Sequence, residues 1–188
     1  MAILNSKDAE RDAVLTIAKI MAASARTAPK TRGLDSVKTL ILDGDDLEKL
    51  AKAMEERSKD DPERLAFFKR NADDVRKTMA ILVIGVTGEP KRPELPLNCG
   101  ACGHNCAWML KTEKKDYGDA RGPMCLMQGI DLGIALASAC KMAADLNVDN
   151  RMMYSIGAAI RRMKLMEADL VVGIPLTVAS KNPYFTGR

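Results

Sequence analysis

The chain has 188 residues, enough for one full hydrophobic core and short for two independent ones. Lys plus Arg number 29 against 25 Asp plus Glu, giving a net charge of +4 with a single His, too mild a balance to argue nucleic-acid binding. Apolar residues make up 47% and aromatics 4%, so the core must be Ala, Leu, Ile, Val and twelve Met, a composition that favours helices and leaves few rings to stack on bases.

Charges at Lys7, Asp8, Glu10, Arg11 and Asp12 stand where a signal peptide would carry its apolar stretch. No apolar run approaches the roughly 18 residues needed to span a bilayer. The expectation is a cytoplasmic protein with neither a membrane nor a nucleic-acid partner. In a reducing cytosol, five cysteines make a poor disulfide framework and a better metal site.

From Asp8 to about Ala25, apolar residues including Val14, Ile17, Ala18 and Met21 recur at helical spacing, predicting a helix with one buried face. ARTAPKTRG (25–33) follows as a basic loop, stopped by Pro29 and Gly33. SVKTLILD (36–43) reads as a strand, and Asp45 with Glu48 opens a helix through about Ser58. Pro62 suits the first turn of a further, surface-amphipathic helix carrying Leu65, Phe67, Phe68, Val75 and Met79. AILVIGV (80–86) has the continuous apolar character of a strand buried on both faces. Three prolines in GEPKRPELPLN mark a loop leading into the cysteines. Beyond them, residues 131 to about 146 are apolar nearly all round and predict a central helix. A helix at 155–166 and a buried strand at 170–176 follow, and the tail TVASKNPYFTGR reads as too polar to fold alone. This order predicts one domain, a three-layer α/β or α+β sheet protein with helices around a few buried strands whose order the sequence does not reveal.

NCGACGHNC (98–106) and GPMC (122–125) give the spacing C-x2-C-x3-C-x18-C. A cubane needs four converging thiolates, and a Gly-rich loop with cysteines two and three apart wraps closely enough to supply three of them. Cys99, Cys102, Cys106 and Cys125 are the candidate ligands of a [4Fe–4S] cluster. Zinc competes, because four thiolates, or three with the imidazole of His104, also close a tetrahedral site. Unmetallated cysteines are the third reading, and His104 also reads as an ordinary loop residue or a proton relay. Cys140, among alanines, reads as core, and the methionines as gap fillers, with Met124 and Met127 placed to shield a cluster from water.

The CGACGHNC loop, ARTAPKTRG, and ADLVVGIPL with KNPYF together resemble the uncharacterised prokaryotic family of ferredoxin-domain-containing proteins, found largely in anaerobes. That family is described by its four-cysteine cluster motif and has no settled activity. A second resemblance runs to the flavin-dependent nitroreductases, an α+β fold that binds FMN at a dimer interface. It rests on the Ala-rich, Ala-Pro loop at 24–33, the helix IDLGIALASACKMAADLNV, GIP at 173–175 with a later basic residue, and the order of elements. The two resemblances imply a single α+β domain over 1–188, helices around a small mixed sheet with a Cys-rich ferredoxin-type segment, 98–125, inserted in it, and a homodimer with an FMN whose contacts come from Arg26, Lys30, Arg32, Lys181 and Arg188. Guanidinium groups would grip its phosphate bidentately, while lysines act as point charges. The sequence departs from the nitroreductase pattern in lacking an RRS-type opening, where it offers only Lys7 and Arg11, and in carrying Lys30 and Arg32 where Ser and Asn are usual. A solvated or dimer-contact loop is the alternative reading of 25–33.

Together these readings predict a redox protein: a [4Fe–4S] cluster exchanging single electrons with FMN on a nitroreductase-like fold, and beyond it with a partner protein or small redox molecule. The alternatives are a zinc-binding or redox-sensing protein without turnover, and a flavin-free structural relative. One His and scattered acids give no hydrolytic arrangement.

Overall fold

The computed structural model describes residues 3–185. Arg188 therefore lies outside the described residues. A long helix, α1 (Ser6–Thr27), is capped by the Asn5 side chain and leads through a 3₁₀ turn (Thr31–Gly33) into β1 (Val37–Asp43). Two helices, α2 (Asp45–Lys59) and α3 (Ala66–Val75), precede β2 (Ala80–Val86). The cysteine-rich segment holds a short α4 (Cys106–Lys111) and a two-residue ladder of β3 (Lys115–Asp116) with β4 (Arg121–Gly122). Then come α5 (Leu126–Asp145), β5 (Asp149–Asn150), α6 (Tyr154–Arg162) and β6 (Leu170–Thr177).

The main sheet runs β1-β2-β6-β5. Each of its pairings is antiparallel, where a mixed sheet was expected. β2 lies inside, every residue buried, and its alternation splits the core in two. Ala80, Leu82, Ile84 and Val86 face α1 and α5, meeting Val14, Ala18, Met21, Ala135 and Ala139. Ile81 and Val83 face α2, α3 and α6, meeting Leu50, Met54, Phe68, Ile156 and Ile160. Three layers result, helices on both faces of one sheet.

α6 lies close on β6 because two facing positions lack a side chain. A Cβ at Gly157 would fall 1.7 Å from the Val171 carbonyl oxygen, and one at Gly173 would fall 2.1 Å from Ile156.

Three sequence expectations change. The helix expected from Pro62 begins at Ala66 and is more than a surface element, since Phe68, Asn71, Ala72, Asp74 and Val75 are buried. α5 is not apolar-buried all round: Leu126, Ile130 and Ile134 are exposed along one side, while Leu132, Ala135, Leu136 and Ala139 pack inward. The polar tail is anchored, because Tyr184 is fully buried, shares a 2.9 Å hydrogen bond with Thr78 and accepts one from Arg151 at its carbonyl. Burial pushes the Tyr184 phenol above its ordinary pKa.

Tyr184→Ala should lower unfolding stability by about 3–5 kcal/mol, as for other large buried side chains, whereas Tyr184→Phe should cost only about 1 kcal/mol for the lost hydrogen bond. Denaturant midpoints measure both, and equal costs would contradict the packing role.

Candidate metal centre

The cysteines sit where the chain leaves β2 and re-enters as α5. Gly100 and Gly103 adopt left-handed φ of 73° and 82°, which lets the loop curl within a few residues. The Cys106 amide donates to the Asn98 side chain (3.0 Å), closing the loop on itself, and Asn105 caps α4 by accepting from the Trp108 amide (2.8 Å). His104 stacks on Trp108 with centroids 3.5 Å apart. Cys125 is the N-cap residue of α5, and its amide donates to the Gly88 carbonyl (2.8 Å).

Cys99, Cys106 and Cys125 line one apolar cavity, together with Leu97, Pro90 and Met127. Two widely separated stretches thus bring three of the four expected ligands to a common space. Cys102 is not part of that wall, and its thiol donates to the His104 carbonyl at 3.4 Å. Among the described residues, no three His, Cys, Asp or Glu side chains close on one point at metal-binding distance, so the thiols border the cavity without converging. Their chemistry fits a thiophilic metal: soft donors, apolar walls, the positive N-terminal end of a 20-residue helix, and Arg32 and Lys91 alongside. Met127 lines the cavity, whereas Met124 packs with the α1/α5 core. Cys140 also packs against that core, and burial pushes its thiol up to about 11.

The cavity is held by polar contacts that spacing did not reveal. Asp131, 1% exposed, accepts from the Thr31 amide (2.9 Å) and hydroxyl (2.8 Å) and pairs with Lys91, whose ammonium also reaches the Leu34 carbonyl. Gln128, 2% exposed, accepts from Ser36 and donates to the Glu89 carbonyl. Asp169, 6% exposed, accepts from the Gly88 amide (2.6 Å) and pairs with Lys114, which also pairs with Glu89. The available signal was a charged or amide side chain inside an apolar helical run, as in MQGIDLGIAL.

The cations expected around a flavin phosphate go to separate places. Arg26 pairs with Asp35. Lys30 turns back to the carbonyls of Ala25, Arg26 and Ala28 at the end of α1. Arg32, held at φ 59°, lines the cysteine cavity. Lys181 is exposed beyond Thr177, at the end of β6 remote from the cysteines, since Leu170 pairs with Val86 and Leu176 with Ala80. Within one chain these four cations are thus engaged at separate places.

Residues 121–186 match a family model described as an uncharacterized protein containing a ferredoxin domain (DUF2148). The match takes in Cys125, α5, α6 and β6, and meets the expected ferredoxin-type segment 98–125 only at 121–125. An uncharacterized protein of Archaeoglobus fulgidus is 42% identical over 184 residues, covering 97% of this chain and 96% of that protein. The chain belongs to this ferredoxin-domain family.

The fold of this family member is that of the nitroreductases. A nitroreductase-like family protein from Bacillus cereus superposes with TM-score 0.54 at 12% identity, over all of this chain and 93% of that one. A putative nitroreductase from Desulfovibrio desulfuricans, solved in complex with FMN, gives TM-score 0.52 at 11% identity, over 92% and 78%. Nitroreductase A from Vibrio parahaemolyticus gives TM-score 0.53 at 14% identity, and the chain spans 61% of that longer protein. No helix among the described residues is long and apolar enough to cross a membrane.

With a thiol pKa near 11, Cys140 should alkylate about tenfold faster for each pH unit between 7 and 9 without levelling off, as its thiolate fraction grows. Mass spectrometry of its peptide reads the rate, and a plateau below pH 9 would contradict the burial argument.

Proposed function

We propose that the chain is a redox protein in which Cys99, Cys102, Cys106 and Cys125 hold a [4Fe–4S] cluster for single-electron transfer. The observation that carries this reading is the shared cavity of Cys99, Cys106 and Cys125 beside the start of α5. Such a cluster supplies one-electron chemistry at a potential set by charge, hydrogen bonds and solvent access. The chain's own residues account for the rest. The α5 N-terminus with Arg32 and Lys91 favours deprotonated sulfur. Pro90, Leu97 and Met127 give it apolar walls, and the tie from Cys125 to Gly88 fixes the remote ligand against the sheet. Cys102, in the same loop, completes the set by a short movement of a Gly-flanked segment. Cys99 is exposed, so a donor or acceptor protein, or a small redox molecule, can approach within electron-transfer range. FMN enters no step of this reading.

Anaerobic purification followed by iron, sulfide, zinc and FMN quantification on one sample tests it. About four irons and four sulfides per chain are expected, with Cys99→Ala and Cys125→Ala losing most of the iron and Cys140→Ser keeping it. Stoichiometric zinc without iron would overturn the cluster, and a Cys99→Ala variant with full iron would overturn the ligand set.

We also propose a homodimer formed through the exposed apolar side of α5, where Leu126, Ile130 and Ile134 follow one another at helical spacing. Ile130→Glu with Ile134→Glu should halve the mass measured by light scattering while leaving the circular dichroism unchanged. A wild-type chain that is already monomeric would refute this.

A further inference from the structure

The segment leaving β2 borders two cavities. Pro90 and Lys91 line the cysteine cavity, whereas Thr87 and Glu89 line a polar cleft of about 450 Å³ between β1, the β3–β4 ladder and the end of α6. Four cations face this cleft: Lys38, Arg121, Arg161 and Lys164.

Most of the carboxylates there are already engaged. Asp169 and Glu89 pair with Lys114. Asp116 pairs with Arg161 and accepts from the Gly118 amide, which together hold its carboxyl below the usual range. Only Glu167 lines the cleft without an ion pair among the described residues. The cations are less well matched. Lys38 donates to the Glu167 carbonyl, not to a carboxylate. Arg121 stands 3.9 Å from Asp169, beyond hydrogen-bond range, and Lys164 has no carboxylate partner among the described residues. Lys114 balances only one of Asp169 and Glu89, so Lys38, Arg121 and Lys164 against the other carboxylate and Glu167 leave about one positive charge uncompensated at neutral pH.

Arg161 adds an independent sign. Its side chain is only 7% exposed, one guanidinium nitrogen meets Asp116, another meets the Ala168 carbonyl, and Nε has no partner. It is the only buried side-chain nitrogen or oxygen among the described residues left so. Buried donors are almost always satisfied, and an exception needs a physical account.

We infer that this cleft binds a small oxyanion, a phosphate or a dicarboxylate, held by Lys38, Arg121 and Lys164 over the buried Arg161. Arginine and lysine together suit such a group, one giving paired donors and the other a mobile point charge. The site is separate from the cysteine cavity and goes beyond the cluster proposal.

Calorimetric titration of the full chain with inorganic phosphate, and separately with succinate, at fixed ionic strength tests it. At least one should bind saturably, and which one does identifies the source of the group. Arg121→Gln with Lys164→Gln, both on exposed side chains, should weaken that binding at least tenfold with an unchanged thermal midpoint. Cys125→Ser should bind as the wild type does, whatever its metal content. Absence of saturable binding by either anion, equal binding in the double variant, or loss of binding in Cys125→Ser would overturn the assignment.

Discussion

A single carboxylate inside an apolar helix sets the arrangement around the cysteines. Burying an ionised Asp without partners costs several kcal/mol or more, so Asp131 in α5 requires donors from other parts of the chain. It obtains them from the amide and hydroxyl of Thr31 and from Lys91. Those contacts draw the turn after α1 and the loop after β2 onto the first turns of α5. The same three segments supply Thr31, Lys91 and Cys125 to the cysteine cavity, so the walls of that cavity follow from how one buried charge is satisfied.

Strands and helices with a one-sided or uniform apolar pattern were legible in the sequence. β2 runs from Ala80 to Val86 as its unbroken apolar run implied, and α1 buries Val14, Ala18 and Met21 as its periodicity implied. Strand direction was not legible, because it depends on where each connection crosses. The outward face of α5 was misread for a related reason: Ile130 and Ile134 are as apolar as Leu132 and Leu136, and only the position of α1 and the sheet decides which pair is covered. Tyr184 was missed because one aromatic in a polar tail leaves no period to follow.

The cysteine spacing was legible because thiol chemistry is rare and local. The destinations of the cations were not, because a charge does not name its partner. Arg26 reaches Asp35 nine residues away, and Lys30 neutralises the carbonyl end of the helix preceding it, a role the helix dipole alone would have suggested. Of the three cations in that basic loop, Arg32 is the one that lines the cysteine cavity. The hydrogen bonds from Gly88 to Asp169 and from Cys125 to Gly88 then place the cysteine cavity and the polar cleft on opposite sides of one stretch of backbone.

β1 ends the sheet, pairing with β2 on one side only. Its seven residues, VKTLILD, are strongly β-prone, and an open edge of that kind invites a strand from another molecule to add on. The chain counters this with side chains and with cover. Lys38 near the start and Asp43 at the end put opposite charges along the edge, and Leu165 to Glu167 border a groove beside Val37 to Leu40, tied in by the Lys38 contact to the Glu167 carbonyl. The lysine that faces the polar cleft is thus also a guard against aggregation, and replacing it would expose a hazard unrelated to ligand or metal.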